Sequence, residues 1–281
     1  MRFALSLGNG GAGGDPGTLA DFAALAEASG WDAVFLEDYL VYQSRAGMPT
    51  YDPWISLAAM AMRTQRVRLG TMVTPLPRRR PWKLAAETVA LDHLSDGRLI
   101  LGVGLGDAWD ISLRGFGEAT DVGQRSAMAD EALDVLVGLW GGEPFSYAGQ
   151  HYRVDSVALQ PPPIQRPRIP IWVGGRYPNP RAVRRAARWD GAVLFKAASY
   201  SETSNEPSEW TPDDIRDLLA QVNRPDDFDI VVGGRERNPD TAAEVELIRS
   251  LAEAGATWWS EWVAPSDAAS MRAAIARGPL R

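Results

Sequence analysis

Short apolar runs alternate with longer amphipathic segments along the whole chain. The runs read as strands at RFALSL (2–7), AVFLE (33–37), VRLGTMV (67–73), RLILGVGL (98–105), IPIWVGG (169–175), GAVLFK (191–196), FDIVVGG (228–234) and TWWSEWV (257–263). They are short and nearly all apolar, the pattern of parallel strands covered on both faces. Ala- and Leu-rich segments with charges on one side predict helices starting near Leu19, Pro53, Pro81, Val122, Pro180, Pro212, Asp240 and Ser266. Asp52-Pro53, Asn179-Pro180 and Thr211-Pro212 each pair a capping side chain with a first-turn proline, and Gly30 and Gly255 stand where helices end on glycine. Eight βα units in 281 residues predict an α/β fold, a (β/α)8 TIM-type barrel with 1–281 as one domain. Residues 141–168 break the rhythm. They read as a hairpin with a proline-rich return, inserted between the fourth helix and the fifth strand.

Composition narrows the partners. A hydrophobic content of 45% supports a sizeable core, and the net charge of -7 argues against nucleic acid as the main partner. The absence of cysteine excludes disulfides, thiolate zinc sites, iron–sulfur clusters and a cysteine nucleophile. No apolar run has the length of a membrane span, and MRFALSLGNGG lacks the features of a signal peptide, so no membrane partner and a cytoplasmic location are expected. Against the acidic balance, Arg78, Arg79 and Arg80 stand together after the third strand. A barrel puts them at its rim, where they are expected to steer an anionic cofactor rather than to bind it directly.

Gly8-Asn9-Gly10-Gly11-Ala12-Gly13 matches G-x-G-x-x-G after a first strand, with Glu37 and Asp38 ending the second, so a Rossmann dehydrogenase is the rival fold. The helix does not open within the glycines, and eight similar units follow; a flexible βα loop is the better reading. Catalytic groups of a barrel gather at the C-terminal strand ends. Those ends hold Asn9, Asp38, Tyr39, Thr71 to Thr74, Gly104 to Asp107, Gly174 to Arg176, Lys196, Arg235 and Glu261. The set contains no histidine, no metal-ligand cluster and no G-x-S-x-G, so metal-assisted or serine hydrolysis is not supported. Gly174-Gly175-Arg176 before a helix start reads either as a phosphate cradle or as a tight turn. His93 fits a structural place at a helix end, and His151 has no evident partner. Trp54 and Trp172 either pack the core or line an apolar pocket.

The stretch DPWISLAAMAMRTQRVRLGTMVTPLPRRRPWKLAAETVALDHLSDGRLILGVGLG (52–106) closely resembles the bacterial luciferase-like monooxygenase family, as do GWDAVFLED (30–38), IPIWVGGR (169–176) and ARWDGAV (187–193). The resemblance implies a TIM-type barrel with a flavin-type cofactor in its mouth: FMN, or as the alternative the deazaflavin coenzyme F-420. It implies a monooxygenase using reduced FMN and O2 on a small organic substrate. The alternatives are deazaflavin-dependent hydride transfer and a non-catalytic flavin-binding protein. By motif position a non-proline cis peptide is expected at Met72–Val73, against the cofactor ring and beside Thr74. The phosphate is expected on Gly174, Gly175 and Arg176, with Arg125 nearby. Gly104, Gly106 and Asp107 are counted with the cofactor-binding positions. Many members carry Asp/Glu-His after the second strand. Here Asp38 is kept and Tyr39 stands in the histidine's place, able to donate a hydrogen bond but a poor base at neutral pH. The loops after strands two, three, four and six, with the insertion, are expected to shape the substrate pocket. No attached NAD(P)H-binding domain is read, so a separate reductase is expected to supply reduced cofactor, and a homodimer is the expected assembly.

Overall fold

In the computed structural model, which describes residues 1–196, 208–223 and 227–281, the apolar runs become strands that close into a ring. Numbered along the chain they are β1 (Arg2–Leu7), β2 (Ala33–Leu36), β3 (Arg68–Pro75), β4 (Leu99–Gly104), β5 (Phe145–Ala148), β6 (Arg153–Val157), β7 (Ile171–Tyr177), β8 (Gly191–Lys196), β9 (Asp229–Arg235) and β10 (Trp258–Val263). All except β5 and β6 form a closed parallel barrel in chain order, with β10 pairing back onto β1. The helices are α1 (Pro16–Ala28), α2 (Pro53–Arg63), α3 (Pro81–Leu94), α4 (Ile111–Arg114), α5 (Val122–Trp140), α6 (Pro180–Ala186), α7 (Pro212–Val222), α8 (Thr241–Glu253) and α9 (Ala268–Ala276). Among the described residues no helix is long and apolar enough to cross a membrane.

The differences from the sequence reading have local causes. The first helix starts at Pro16 rather than Leu19, because Asp15 caps the Thr18 N–H and proline takes the first turn. The last starts at Ala268, two residues late, behind an Asp267 cap. The short α4, capped by Asp110, is too brief to leave a periodic signal. Strands β3 and β7 each run two residues further into the mouth than their apolar patterns.

Two apolar layers result. One lies between strands and helices. The other fills the barrel with Ala4, Ala33, Phe35, Ile100, Trp172, Val231 and Trp258. Trp172 is fully buried, with its ring centroid 5.2 Å from Phe35 and 5.3 Å from Trp258. It plugs the barrel rather than lining a pocket, and Trp54 is buried in the helix layer. The plug fits because neighbouring strands are bare on that face: a Cβ on Gly70 would lie 2.0 Å from the Ile100 carbonyl, and one on Gly102 2.0 Å from the Thr71 carbonyl.

The insertion forms an antiparallel β5–β6 hairpin. Glu131 of α5 holds it by accepting the N–H groups of Gln150, His151 and Tyr152. The proline-rich return is bound lower down. Buried Asp92 accepts the N–H groups of Ile164 and Gln165, the Gln165 amide donates to the Leu99 carbonyl, and His93 pairs with the Pro162 carbonyl. These anchors lie at the C-terminal end of α3 and the start of β4, at the barrel bottom. The return therefore does not shape the pocket, contrary to the expectation. Of the loop after β8, residues 197–207 lie outside the described residues.

Gly102→Ala is expected to cost about 3 kcal/mol or more, because the added methyl meets a carbonyl and not a flexible side chain. Urea denaturation monitored by tryptophan fluorescence checks the value.

Candidate active site

Three consecutive residues at the end of β2 take three different environments. The Glu37 N–H donates to the Leu7 carbonyl at 3.0 Å, so strand alternation continues past Leu36. Glu37 shares the inward direction of Phe35 and enters the mouth. Asp38 points the opposite way, beneath the turn between β3 and α3. There its carboxylate accepts from Thr74 Oγ1 at 2.8 Å, Arg78 Nη2 at 2.5 Å and Arg79 Nη2 at 2.8 Å. The Asp38 side chain is 0% exposed, Arg78 4% and Arg79 16%.

This geometry corrects the reading of the arginine triplet. Arg78 and Arg79 are not rim charges waiting for an anion; they are buried and paired, and Arg80 alone of the three faces solvent. Arg78 also donates to the Asp38 carbonyl. With all of its described partners donating to it, the Asp38 carboxylate positions the turn and is closed to proton exchange with a substrate. Two guanidiniums share one buried carboxylate, Arg79 reaching Asp52 only at 3.8 Å, and Arg78 Nε and Nη1 and Arg79 Nε are buried without a partner.

The glycine-rich first loop has a packing explanation. A Cβ on Gly8 would lie 2.6 Å from the Tyr42 hydroxyl, and one on Gly10 2.5 Å from the Tyr42 Cβ. The glycines make room for this ring, and Asn9 ties the loop to the Tyr39 and Tyr51 carbonyls at 2.7 and 2.8 Å. The closed barrel overturns the Rossmann alternative, which requires an open sheet. Tyr42 donates to Glu37 Oε2 at 2.6 Å, and the Tyr39 ring meets Tyr42 edge-on at 5.2 Å. Burial pushes the Tyr39 phenol above its ordinary value, and the carboxylates of Glu37, Asp110 and Asp107 add to this. Tyr39 is therefore a neutral hydrogen-bond donor. Burial likewise pushes the Glu37 carboxyl upward, with the Tyr42 hydrogen bond pulling back.

On the other side of the mouth, the Met72–Val73 peptide is cis, at the position expected. Met72 faces the floor, where Ser260 Oγ approaches its sulfur at 3.7 Å. The Val73 side chain lies over two strand-end glycines: a Cβ on Gly104 would meet it at 2.7 Å, and one on Gly174 at 3.0 Å. Gly175 lets α6 close on β7, since its Cβ would lie 2.7 Å from that of Ala182. Residues 174–176 pair in register with Val193–Phe195 of β8, and Asn179 caps the Arg181 N–H. The backbone at Gly174, Gly175 and Arg176 is thus engaged in the sheet, while the Arg176 side chain takes the inward direction shared by Trp172 and Gly174. Gly106 adopts a positive φ of 72°, and exposed Asp107 accepts the Trp109 N–H at 3.0 Å.

Arg125, in the first turn of α5, is buried. It donates to the carbonyls of Leu105 and Gly106, closing the loop after β4, while its Nε is buried without a partner. No carboxylate among the described residues lies within ion-pairing distance of it. An arginine in this state offers charge and a free donor to an anion.

At the ends of β9 and β10 a cavity of about 690 Å³ is lined by Glu209, Arg235, Glu236, Arg237, Trp262 and Arg277, among others. Arg235 pairs with Glu244 and Glu209, each at 2.8 Å; Arg237 and Arg277 both pair with Glu261, at 2.8 and 3.1 Å. Lys196 is held by Asp214 at 2.5 Å. This lining suits a polar substrate. Among the described residues no group of three His, Cys, Asp or Glu side chains is placed to hold a metal ion. Sequence reasoning placed Glu37 only as a strand-end carboxylate and passed over Tyr42; the parity of Glu37 with Phe35 is the signal that marks it.

A closed parallel barrel with its ionisable and glycine-rich strand ends gathered at one mouth is the architecture of TIM-barrel enzymes. Within that class, the chain belongs to the luciferase-like monooxygenase family, whose model matches residues 1–255. It is 33% identical over 236 residues to an F420-dependent glucose-6-phosphate dehydrogenase of Microbacterium testaceum, an alignment covering 83% of this chain and 64% of the relative. The chain thus spans less than two thirds of that relative's length. Its fold is similar to a coenzyme F420 dependent tetrahydromethanopterin reductase from Methanopyrus kandleri (TM-score 0.73, 16% identity, 98% of this chain and 97% of that one). It is also similar to the monooxygenase RslO1 from Streptomyces bottropensis (TM-score 0.70, 20% identity, 98% and 96%).

Asp38→Asn is expected to destabilise the protein by about 3–5 kcal/mol, since it leaves two buried guanidiniums uncompensated. Arg80→Glu should change stability by less than about 0.5 kcal/mol. Chemical denaturation of both variants checks the contrast.

Proposed function

We propose that the protein is an oxidoreductase that uses the deazaflavin coenzyme F-420 to move a hydride between the cofactor and a carbon of a small polar alcohol or its carbonyl partner. The observation that carries this reading is the likeness of 236 residues, at 33% identity, to an F420-dependent glucose-6-phosphate dehydrogenase. Sequence reasoning put reduced FMN and oxygen first and the deazaflavin second; the relatives support the reverse order.

The residues present fit such a cofactor. Arg125, buried with an unpartnered Nε and in ion-pair contact with no carboxylate among the described residues, suits an anionic tail next to the loop after β4. Met72 and Val73 present an apolar surface at the mouth, backed by Gly104 and Gly174. When bound, the deazaflavin supplies a ring carbon that accepts or gives a hydride. The chain's own groups do the rest. Arg125 holds negative charge, Tyr39 donates a hydrogen bond from a phenol kept neutral by burial, and the charged cavity between β9 and β10 orients a polar substrate. Exchange of the cofactor with a separate oxidoreductase partner, and assembly as a homodimer, belong to the same proposal.

Titration of the protein with coenzyme F-420, followed by deazaflavin fluorescence, is expected to show saturable binding, with FMN binding more weakly. Arg125→Gln should weaken F-420 binding about ten- to a hundredfold, the worth of a hydrogen bond to a charged group. Tighter binding of FMN than of F-420 would overturn the cofactor assignment. Binding of F-420 without its reduction by any alcohol would favour a non-catalytic binder.

A further inference from the structure

The barrel mouth contains a carboxyl group to which neither the sequence pattern nor the family resemblance gives a role. Glu37 lies on the inward face of β2, and its ladder bond to Leu7 keeps it in strand register with the Phe35 plug below. One carboxyl oxygen accepts the Tyr42 hydroxyl at 2.6 Å, and Gln43 Nε2 donates to that same hydroxyl at 3.2 Å. The Trp262 indole of β10 stands beside the carboxyl and, like Tyr42, favours its charged form. Trp262 also lines the charged cavity. Glu37 therefore stands half-buried in the mouth, beside a tryptophan that also lines the cavity proposed for substrate.

The adjacent residues cannot do this work. Asp38 points away and is closed by Arg78, Arg79 and Thr74. Tyr39 is a phenol that burial keeps protonated. Hydride transfer from an alcohol carbon requires a group that takes the hydroxyl proton, and Glu37 is the inward-facing carboxyl at this strand end.

We infer that Glu37 is the proton-handling group of this site: its carboxylate takes the proton of the substrate hydroxyl as the hydride leaves, and returns it in the reverse direction. This rests on the deazaflavin reading above. In the oxidation, the substrate C–H bond breaks and its electron pair goes with the hydride to oxidised deazaflavin. The O–H bond breaks, its proton goes to Glu37, and the C=O bond forms. The substrate loses two electrons, the deazaflavin gains two, and Glu37 passes its proton to solvent through its exposed side.

The surroundings suit a carboxyl that changes protonation. Burial raises its proton affinity, and the Tyr42 hydrogen bond restrains that rise. Asp107 and Asp110, from the segment after β4, Arg78 from the β3–α3 turn and Arg45 beyond Tyr42 act on the Tyr39–Tyr42 pair beside it. The β1 end contributes Gly8 and Asn9, and β10 contributes Trp262, none of which titrates.

The test uses the full chain loaded with F-420 and glucose 6-phosphate as the probe alcohol. Glu37→Gln keeps the hydrogen bond from Tyr42, so it should bind F-420 as the parent does. It should lose about a hundred- to ten-thousandfold in kcat/KM, together with the acid limb of the pH profile. Tyr42→Phe removes a bond that favours the carboxylate, so the acid limb should move to higher pH, a shift that a purely structural Glu37 would not produce. Independently of turnover, infrared difference spectra of parent against Glu37→Gln should contain a carboxylic-acid C=O band that persists to higher pH than that of an ordinary exposed glutamate. Unchanged kcat/KM in Glu37→Gln overturns the inference, as does absence of that band. If the probe is not turned over, the infrared titration decides. Failure of the parent to bind F-420 overturns the cofactor reading itself, an outcome seen before any variant is compared.

Discussion

The mouth of this barrel depends on one buried carboxylate. Asp38 sits where β2 ends, and it gathers Thr74 from β3 and Arg78 and Arg79 from the turn that follows. Neither a buried aspartate nor a buried arginine is tolerable alone, because each loses its hydration. Together they pin the turn that carries the chain from β3 into α3, directly behind Met72 and Val73. Thr74 Oγ1 also lies 3.0 Å from Thr71 Oγ1, which donates to the Gly102 carbonyl. The constraint therefore runs from the Asp38 carboxylate through β3 to β4, where the paired glycines make room for Val73 and for the plug.

With Asp38 committed to this task, strand alternation assigns the functional space to its neighbours. Glu37 and Tyr42 form one polar corner, enclosed by the glycines at 8 and 10 that yield to the tyrosine ring. Arg125 forms a second corner, holding the loop after β4 by its carbonyls and keeping a donor in reserve. The arginine–glutamate lattice at the ends of β9 and β10 forms the third. The floor between them is apolar and filled by Trp172 and Trp258, which seals the barrel from below. Charge at the edges over a dry floor would suit the hydride transfer proposed above, because excluding water strengthens the interactions that orient the reactants.

Much of the architecture was legible in the amino-acid order. All eight barrel strands lie within two residues of their apolar patterns at both ends, and β1 and β8 coincide with theirs, since an enclosed parallel strand must be apolar on both faces. Helix starts at Pro53, Pro81, Val122, Pro180 and Pro212 followed from proline and capping chemistry that acts within one turn. The glycines at 104, 174 and 175 were marked as cofactor-binding positions, 174 and 175 as part of a phosphate cradle. Their packing against Val73 and Ala182 involves residues from other units, which local sequence does not reveal.

By itself the sequence determined the repeat of strand and helix, and hence the barrel, because backbone pairing, capping and burial periodicity are local. It also confined the chemistry to the C-terminal strand ends and excluded thiol chemistry by composition. Only the tertiary structure decided the sign and purpose of those ends. Three arginines in a row read as surplus positive charge until Asp38, forty residues upstream of Arg78, was found beneath them. A glycine loop that read as merely flexible proved to be shaped by the ring of Tyr42, which fills the space beside Gly8 and Gly10. In both cases the partner lies in another βα unit, and the closure of the ring, not the order of residues, brings the two together.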